Sequence, residues 1–152
     1  MCIRDSSYIC LSLLLFSCSD EEIDQSVSQN VIIGLFFGKC AGDCAEMYLY
    51  NGGELFPDII TNGYTEEPIF SNTSIVVSDE IRAILESLGP DTPQLLSDNV
   101  GGIFGQPDAG DWGAIYYQRG NDSWTLDNAN DNNPDEIQEF VARIQALMTV
   151  LE

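Results

Sequence analysis

Few side chains in this sequence can do chemistry. Histidine is absent, which removes Ser-His-Asp and Cys-His machinery at once. Sulfur offers one pair: Cys40 and Cys44, in Cys40-Ala41-Gly42-Asp43-Cys44. Their alpha carbons come within bridging distance if Gly42 turns the chain, and an even pair in an exported domain reads as a disulfide. So small a loop confines the stabilisation to about 2 kcal/mol. Zinc fits poorly without histidine or a second cysteine pair, and a redox Cys-x-x-Cys would need one residue fewer between the thiols. Among the carboxylates, Asp108 and Asp111 could pair as acid and base. The same residues, in Gly105-Gln-Pro-Asp108-Ala-Gly-Asp111-Trp112, also suit a turn leading into a strand. Asp127, Asp131 and Asp135, with Glu139 in reach, loosely match the alternating oxygen ligands of a calcium loop. Ala129 stands where a ligand is needed, the mid-loop glycine is missing with Asn132 as a left-handed substitute, and helix capping accounts for most of these residues without a metal. The residues therefore predict no catalytic group, no metal and no cofactor.

Cys18 is the exception, because its surroundings define a modification. Tyr8-Ile-Cys-Leu-Ser-Leu-Leu-Leu-Phe-Ser17 runs into Cys18 and then Ser19-Asp20-Glu21-Glu22. An aliphatic residue three before the cysteine and a small one just before it resemble the site cut by lipoprotein signal peptidase, which implies a lipid on the Cys18 thiol. The apolar run is far short of the roughly 20 residues that span a bilayer. An ordinary secretory signal would want a small residue where Leu15 stands. Residues 1–6, Met-Cys-Ile-Arg-Asp-Ser, resemble a translated sequencing adapter, so Cys2 needs no role. The expected organisation is a signal over 1–17, an acidic flexible tether over 18–30, and one globular domain over 31–152.

After residue 17 the only basic residues are Lys39, Arg82, Arg119 and Arg143, and the formal net charge is −20. Such a surface repels nucleic acid and anionic lipid. The acids are mostly scattered, as in a solubilising surface. The expected membrane contact is therefore the lipid anchor alone.

The elements that must carry the domain are legible as patterns. Val31-Ile-Ile-Gly-Leu-Phe-Phe37 reads as a buried strand. The run from Ala45 to Tyr50 turns at Asn51-Gly52-Gly53 into Glu54-Leu55-Phe56, a hairpin signal. A second hairpin joins Gly113–Gln118 to Ser123–Leu126 through Arg119-Gly-Asn-Asp122. Ser78-Asp79-Glu80 starts a helix with Ile81, Ile84, Leu85 and Leu88 on one face, stopped by Gly89 and Pro90. A last helix follows Asn133 as cap and Pro134 in the first turn, with Asp135 and Glu136 answering the dipole. Its stripe is Ile137, Phe140, Val141, Ile144, Leu147, Met148 and Leu151. The order predicts an α+β fold: an antiparallel sheet of about five strands in two hairpins with two helices, the C-terminal one across a sheet face.

Phe37-Gly-Lys-Cys-Ala-Gly-Asp-Cys44, Pro107-Asp-Ala-Gly-Asp-Trp-Gly-Ala-Ile-Tyr116, Trp124-Thr-Leu-Asp127 and Pro134 before the final helix together resemble an uncharacterised family of small Bacteroidota lipoproteins, over nearly all of residues 31–152. Gln106 stands where such relatives sometimes carry a further cysteine. The resemblance implies no activity. The acids after Cys18 resemble the surface-export tag of such lipoproteins, which implies outer-membrane placement and an outward-facing domain, the periplasmic face being the alternative. Two function classes follow. One is a non-catalytic binding module for a protein or glycan, for which Tyr48, Tyr50, Trp112, Tyr116, Tyr117 and Trp124 are candidate contacts, with core packing the competing role for most of them. The other is a tethered inhibitor of secreted proteases, by analogy of element order.

Overall fold

The computed structural model describes residues 30–36, 45–60, 68–107 and 113–151. Cys18, Cys40, Cys44, Asp108, Asp111 and Trp112 lie outside the described residues. The strands are β1 Val31–Phe36, β2 Ala45–Asn51, β3 Glu54–Ile60, β4 Ile69–Phe70, β5 Ala114–Arg119 and β6 Asp122–Asp127. The helices are α1 Asp79–Leu88, the single-turn α2 Gln94–Ser97, and α3 Asp135–Leu151, with a 3-10 turn at Asn130–Asn132 before α3.

All six strands form one sheet in the order β4-β3-β2-β1-β5-β6, and every neighbouring pair is antiparallel. The α+β architecture with a C-terminal helix against the sheet is thus observed, with a sixth strand and a short extra helix beyond the pattern-based expectation. β1 runs down the centre between β2 and β5, and all its residues are buried. That is why its sequence is continuously apolar rather than alternating.

Period-two alternation divides the side chains between two faces. On one, Val31, Ile33 and Leu35 of β1 join Tyr48 and Tyr50 of β2, Ile115 and Tyr117 of β5, and Trp124 and Leu126 of β6. The amphipathic α3 lays Ile137, Phe140, Val141, Ile144, Leu147 and Met148 on this face, and α1 and α2 add Leu85, Leu88 and Leu96. Tyr117 stacks on Trp124 at 5.3 Å and meets Phe140 edge-on at 5.0 Å. On the other face a smaller cluster holds Ile32, Phe36, Ala45 and Met47, with Leu49, Phe70 and Tyr116 partly buried against it. Gly34 belongs to this second face. A Cβ there would collide with Met47 Sδ and stand 2.7 Å from Glu46 O, so β1 and β2 approach across a position only glycine fills.

Two local signals resolve in detail. The first hairpin pairs Asn51 with Glu54, so its central residues are Gly52 and Gly53, at φ +61° and +86°. Two positive φ values define the turn that follows strand twist. Gly89 ends α1 in right-handed geometry at φ −62°, so its left-handed freedom is unused. Pro90, which lacks an N–H, is the stop.

The two sheet edges are built differently. Beyond β6, the segment 101–104 runs alongside in parallel, with Gly101 N–H donating to Ser123 O, Thr125 N–H to Gly102 O and Phe104 N–H to Thr125 O. Beyond β3, the two-residue β4 is followed by an isolated bridge from Ile75 to Leu55. Short, interrupted edges blunt uncontrolled strand pairing.

Candidate functional site

Two polar nodes flank the main core, one at each end of the sheet. The first sits where β6 ends. Asp127 is 2% exposed, and a carboxylate buried so deeply must be compensated. Its Oδ1 accepts the Ala129 N–H at 2.7 Å, and its Oδ2 accepts the Gln106 N–H at 3.0 Å and the Asn132 Nδ2–H at 2.9 Å. Asn133, also buried, grips the Asp127 backbone. Its Oδ1 accepts the Asp127 N–H at 3.1 Å, and its Nδ2 donates to Asp127 O at 2.7 Å. The position of Asn133 suggests a cap for α3, but its side chain completes this clamp, and α3 opens with Ile137 N–H donating to Pro134 O at 3.0 Å. Gly105 makes the node possible. At φ +74° it passes so close that a Cβ would lie 2.6 Å from Asp127 Cβ.

This geometry bears on the calcium candidates. Asp127 has both oxygens engaged by protein donors, whereas Asp131, Asp135 and Glu139 are exposed on the 3-10 turn and α3. Among the described residues no group of three or more His, Cys, Asp or Glu side chains is placed to hold a metal ion. Asn130 Oδ1 is a buried acceptor with no hydrogen-bond partner among the described residues. One such oxygen is far from the roughly six to eight that calcium takes. The four carboxylates are not brought together as a cation site.

The second node gathers at the C-terminal turn of α1. That turn has no basic residue of its own, and its carbonyls are served from other elements. Tyr117 Oη of β5 donates to Leu88 O at 3.1 Å and meets Thr92 Oγ1 at 2.6 Å. Thr92 Oγ1 lies 2.8 Å from Gly89 O, and Arg119 Nη1 donates to Gly89 O at 3.4 Å while its guanidinium covers Trp124. Arg143 of α3 donates to Ser87 Oγ and pairs with Asp91 at 3.0 Å. Cations at a helix C-terminus oppose its negative pole. Two of the few basic residues are thus committed to holding α1 on the sheet. No local sequence signal announces this, since Arg119 and Arg143 lie far from α1 along the chain.

The tyrosines are structural as well. Burial pushes the Tyr117 phenol above its usual pKa. Tyr50 is pushed up to about 12, first by burial and then by its 3.0 Å hydrogen bond to Glu86 and that carboxylate's charge, against the opposing pull of Arg82. Both phenols stay neutral near neutral pH and cannot serve as a base there.

Tyr48, Tyr50, Tyr117 and Trp124 are all buried. Four of the six aromatic candidates therefore pack the helix-covered core rather than form a contact surface. Trp124 Nε1–H donates to Leu96 O at 2.8 Å, so its polar edge is satisfied internally too. Tyr116 alone, among the described candidates, is partly exposed and lies on the opposite face, edge-on to Phe36 at 5.9 Å.

No described helix is long and apolar enough to cross a membrane. Compared with protein-family models, with curated proteins and with solved structures, the chain matches none of them. The reading of function therefore stands on the sequence and on this geometry alone.

Proposed function

We propose that the protein is lipid-anchored through Cys18 to the outer membrane of a bacterial cell envelope, facing outward, and carries a non-catalytic domain that binds a protein or glycan. The observation that carries the non-catalytic part is the deployment of buried polar groups. Buried Asp127, Asn133 and Tyr117 and part-buried Thr92 each bond to backbone groups, part-buried Arg143 bonds to Ser87 and Asp91, and none of these contacts pairs a nucleophile with a base in the manner of an activated side chain. The anchor rests on the residues around Cys18 and the acidic tether behind it. The tether also suits the fold. Asn30 O accepts the Gly120 N–H at 2.8 Å, so the chain feeds into the central strand beside the β5–β6 turn. A pull through that strand is shared by β2 and β5.

Membrane partition tests the anchor. The full chain expressed in a bacterium should take up a clickable fatty acid and sediment with membranes. Cys18→Ser should lose both while remaining folded, and an unlabelled wild type would remove the anchor. A hydrolase screen of the same chain, with Asp108→Asn and Asp111→Asn as controls, should find no turnover; turnover lost in those variants would replace the binding reading with an enzyme. The order of hairpin, helices, hairpin and helix gives a surface-tethered inhibitor of secreted proteases as the second reading. Lack of inhibition across serine, cysteine and metalloprotease panels at micromolar protein would sink it.

A further inference from the structure

The outer margin of β3 and β4 gathers four of the seven exposed large apolar side chains of the described residues. Ile59, Ile69, Ile75 and Val76 are exposed there, Ile69 at 65% and Val76 at 101%. They lie close together at this margin: Ile69 pairs with Ile60 beside Ile59, and Ile75, next to Val76, bridges to Leu55 on the same strand. Scattered exposed apolar residues are ordinary, but a run of β-branched side chains along a sheet margin is what an added strand packs against.

The backbone supports the same use. In an antiparallel ladder, inward and outward amides alternate. The Ser71 N–H points inward to Pro57 O at 2.8 Å and the Ile75 N–H inward to Leu55 O at 2.8 Å. The amides of their neighbours Phe70 and Val76 are therefore directed away from the sheet. Electrostatics selects the occupant. Glu54 lies on β3 with its carboxylate on Ser74 Oγ at 3.0 Å, and exposed Asp79 and Glu80 open α1 just past Val76. The sequence has no Lys or Arg between Lys39 and Arg82, and the ion pairs Arg119–Asp122 and Arg143–Asp91 lie elsewhere. A second copy, at net charge −20, would be repelled from such a margin. A segment carrying basic residues would be drawn to it.

We propose that the β3–β4 margin docks an extended segment of a partner protein in which apolar residues alternate with Lys or Arg. Isoleucine and valine contacts hold the apolar side, and Glu54, Asp79 and Glu80 receive the basic side. This rests on the binding-module reading and assigns it a surface and a partner class.

Amide NMR of the full-length chain carrying Cys18→Ser tests it with three synthetic peptides. One alternates Lys and Val, one alternates Glu and Val, and one keeps the Lys residues but replaces alternate Val by Pro. The Lys/Val peptide should shift the amides of Ile69, Phe70, Ser71, Ile75 and Val76, and weaken as salt rises. The proline peptide should bind about tenfold or more weakly, because it cannot supply strand amides. The Glu/Val peptide should not bind. The double variant Ile69→Lys, Val76→Lys should abolish binding with its circular dichroism unchanged. Equal binding of the proline peptide, shifts confined to other elements, no shift at millimolar peptide, or self-association of the chain through this margin would each overturn the proposal. Shifts elsewhere would remove only this surface and leave a binding module standing, whereas turnover in the hydrolase screen would remove the module reading itself.

Discussion

The two faces of the sheet are packed on different principles. The helix-covered face is deep. Three helices and five strands contribute to it, its large aromatics are buried, and the polar tips of Tyr117 and Trp124 find internal partners. The opposite face is shallow: four buried side chains with three partly buried neighbours, arranged around a glycine. One face therefore sets stability, while the other face and the β3–β4 margin leave apolar surface near solvent. With the buried Asp127, Asn133 and Tyr117 all engaged in holding the fold, the surface at the margin is where interaction has room to occur.

Substitutions that strike each face in turn make this difference measurable. Phe140→Ala or Ile144→Ala, on the deep face, should cost about 3 kcal/mol in denaturant unfolding through lost burial and the cavity left behind. Leu49→Ala, partly buried on the shallow face, should cost clearly less, and equal losses would erase the distinction. Gly34→Ala should cost about 2 kcal/mol through overpacking. Adding Met47→Ala should recover only part of this, because Glu46 O still stands 2.7 Å from the new Cβ. Asp127→Asn keeps the shape but removes the charge from three hydrogen bonds. It should cost about 1–3 kcal/mol, and added calcium should not change the melting temperature of either form.

The phenols give a pH signature of smaller size. Each folded-state pKa is raised above the ordinary value of 10, so the folded chain holds the proton more tightly than the unfolded one. The associated stability is complete below pH 10 and is lost as pH rises toward about 12. Tyr50→Phe should flatten that decline in a base titration followed by circular dichroism. The smallest effect belongs to Arg143→Gln at the exposed pair with Asp91, where a loss of about 0–1 kcal/mol is expected.

What the sequence reveals of this fold follows from how local each determinant is. The stripe of α3 and the Ser78 cap of α1, whose Oγ accepts the Ile81 N–H at 3.2 Å, are short-range patterns and are legible. The hairpin around Gly120 is legible for the same reason. β4 has two residues and α2 four, too few for a period to appear. Asn133 misleads because its tertiary partner, the backbone of Asp127, outcompetes the helix end that its position advertises. The tyrosines and Trp124 read ambiguously because alternation marks a face without saying which face the helices cover. Arg119 and Arg143 carry no signal at all, since their target carbonyls and hydroxyl come from a distant segment.

The central claim is that buried polar groups hold the fold while the β3–β4 margin does the binding, and one paired measurement tests it. Asp127→Asn and the double variant Ile69→Lys, Val76→Lys are compared in the Cys18→Ser chain for melting temperature and for affinity toward the Lys/Val peptide, below the melting point of both. The account predicts a crossed result: Asp127→Asn melts lower and binds as before, while the margin variant melts as before and fails to bind. Loss of binding in Asp127→Asn with the margin variant still binding would contradict it.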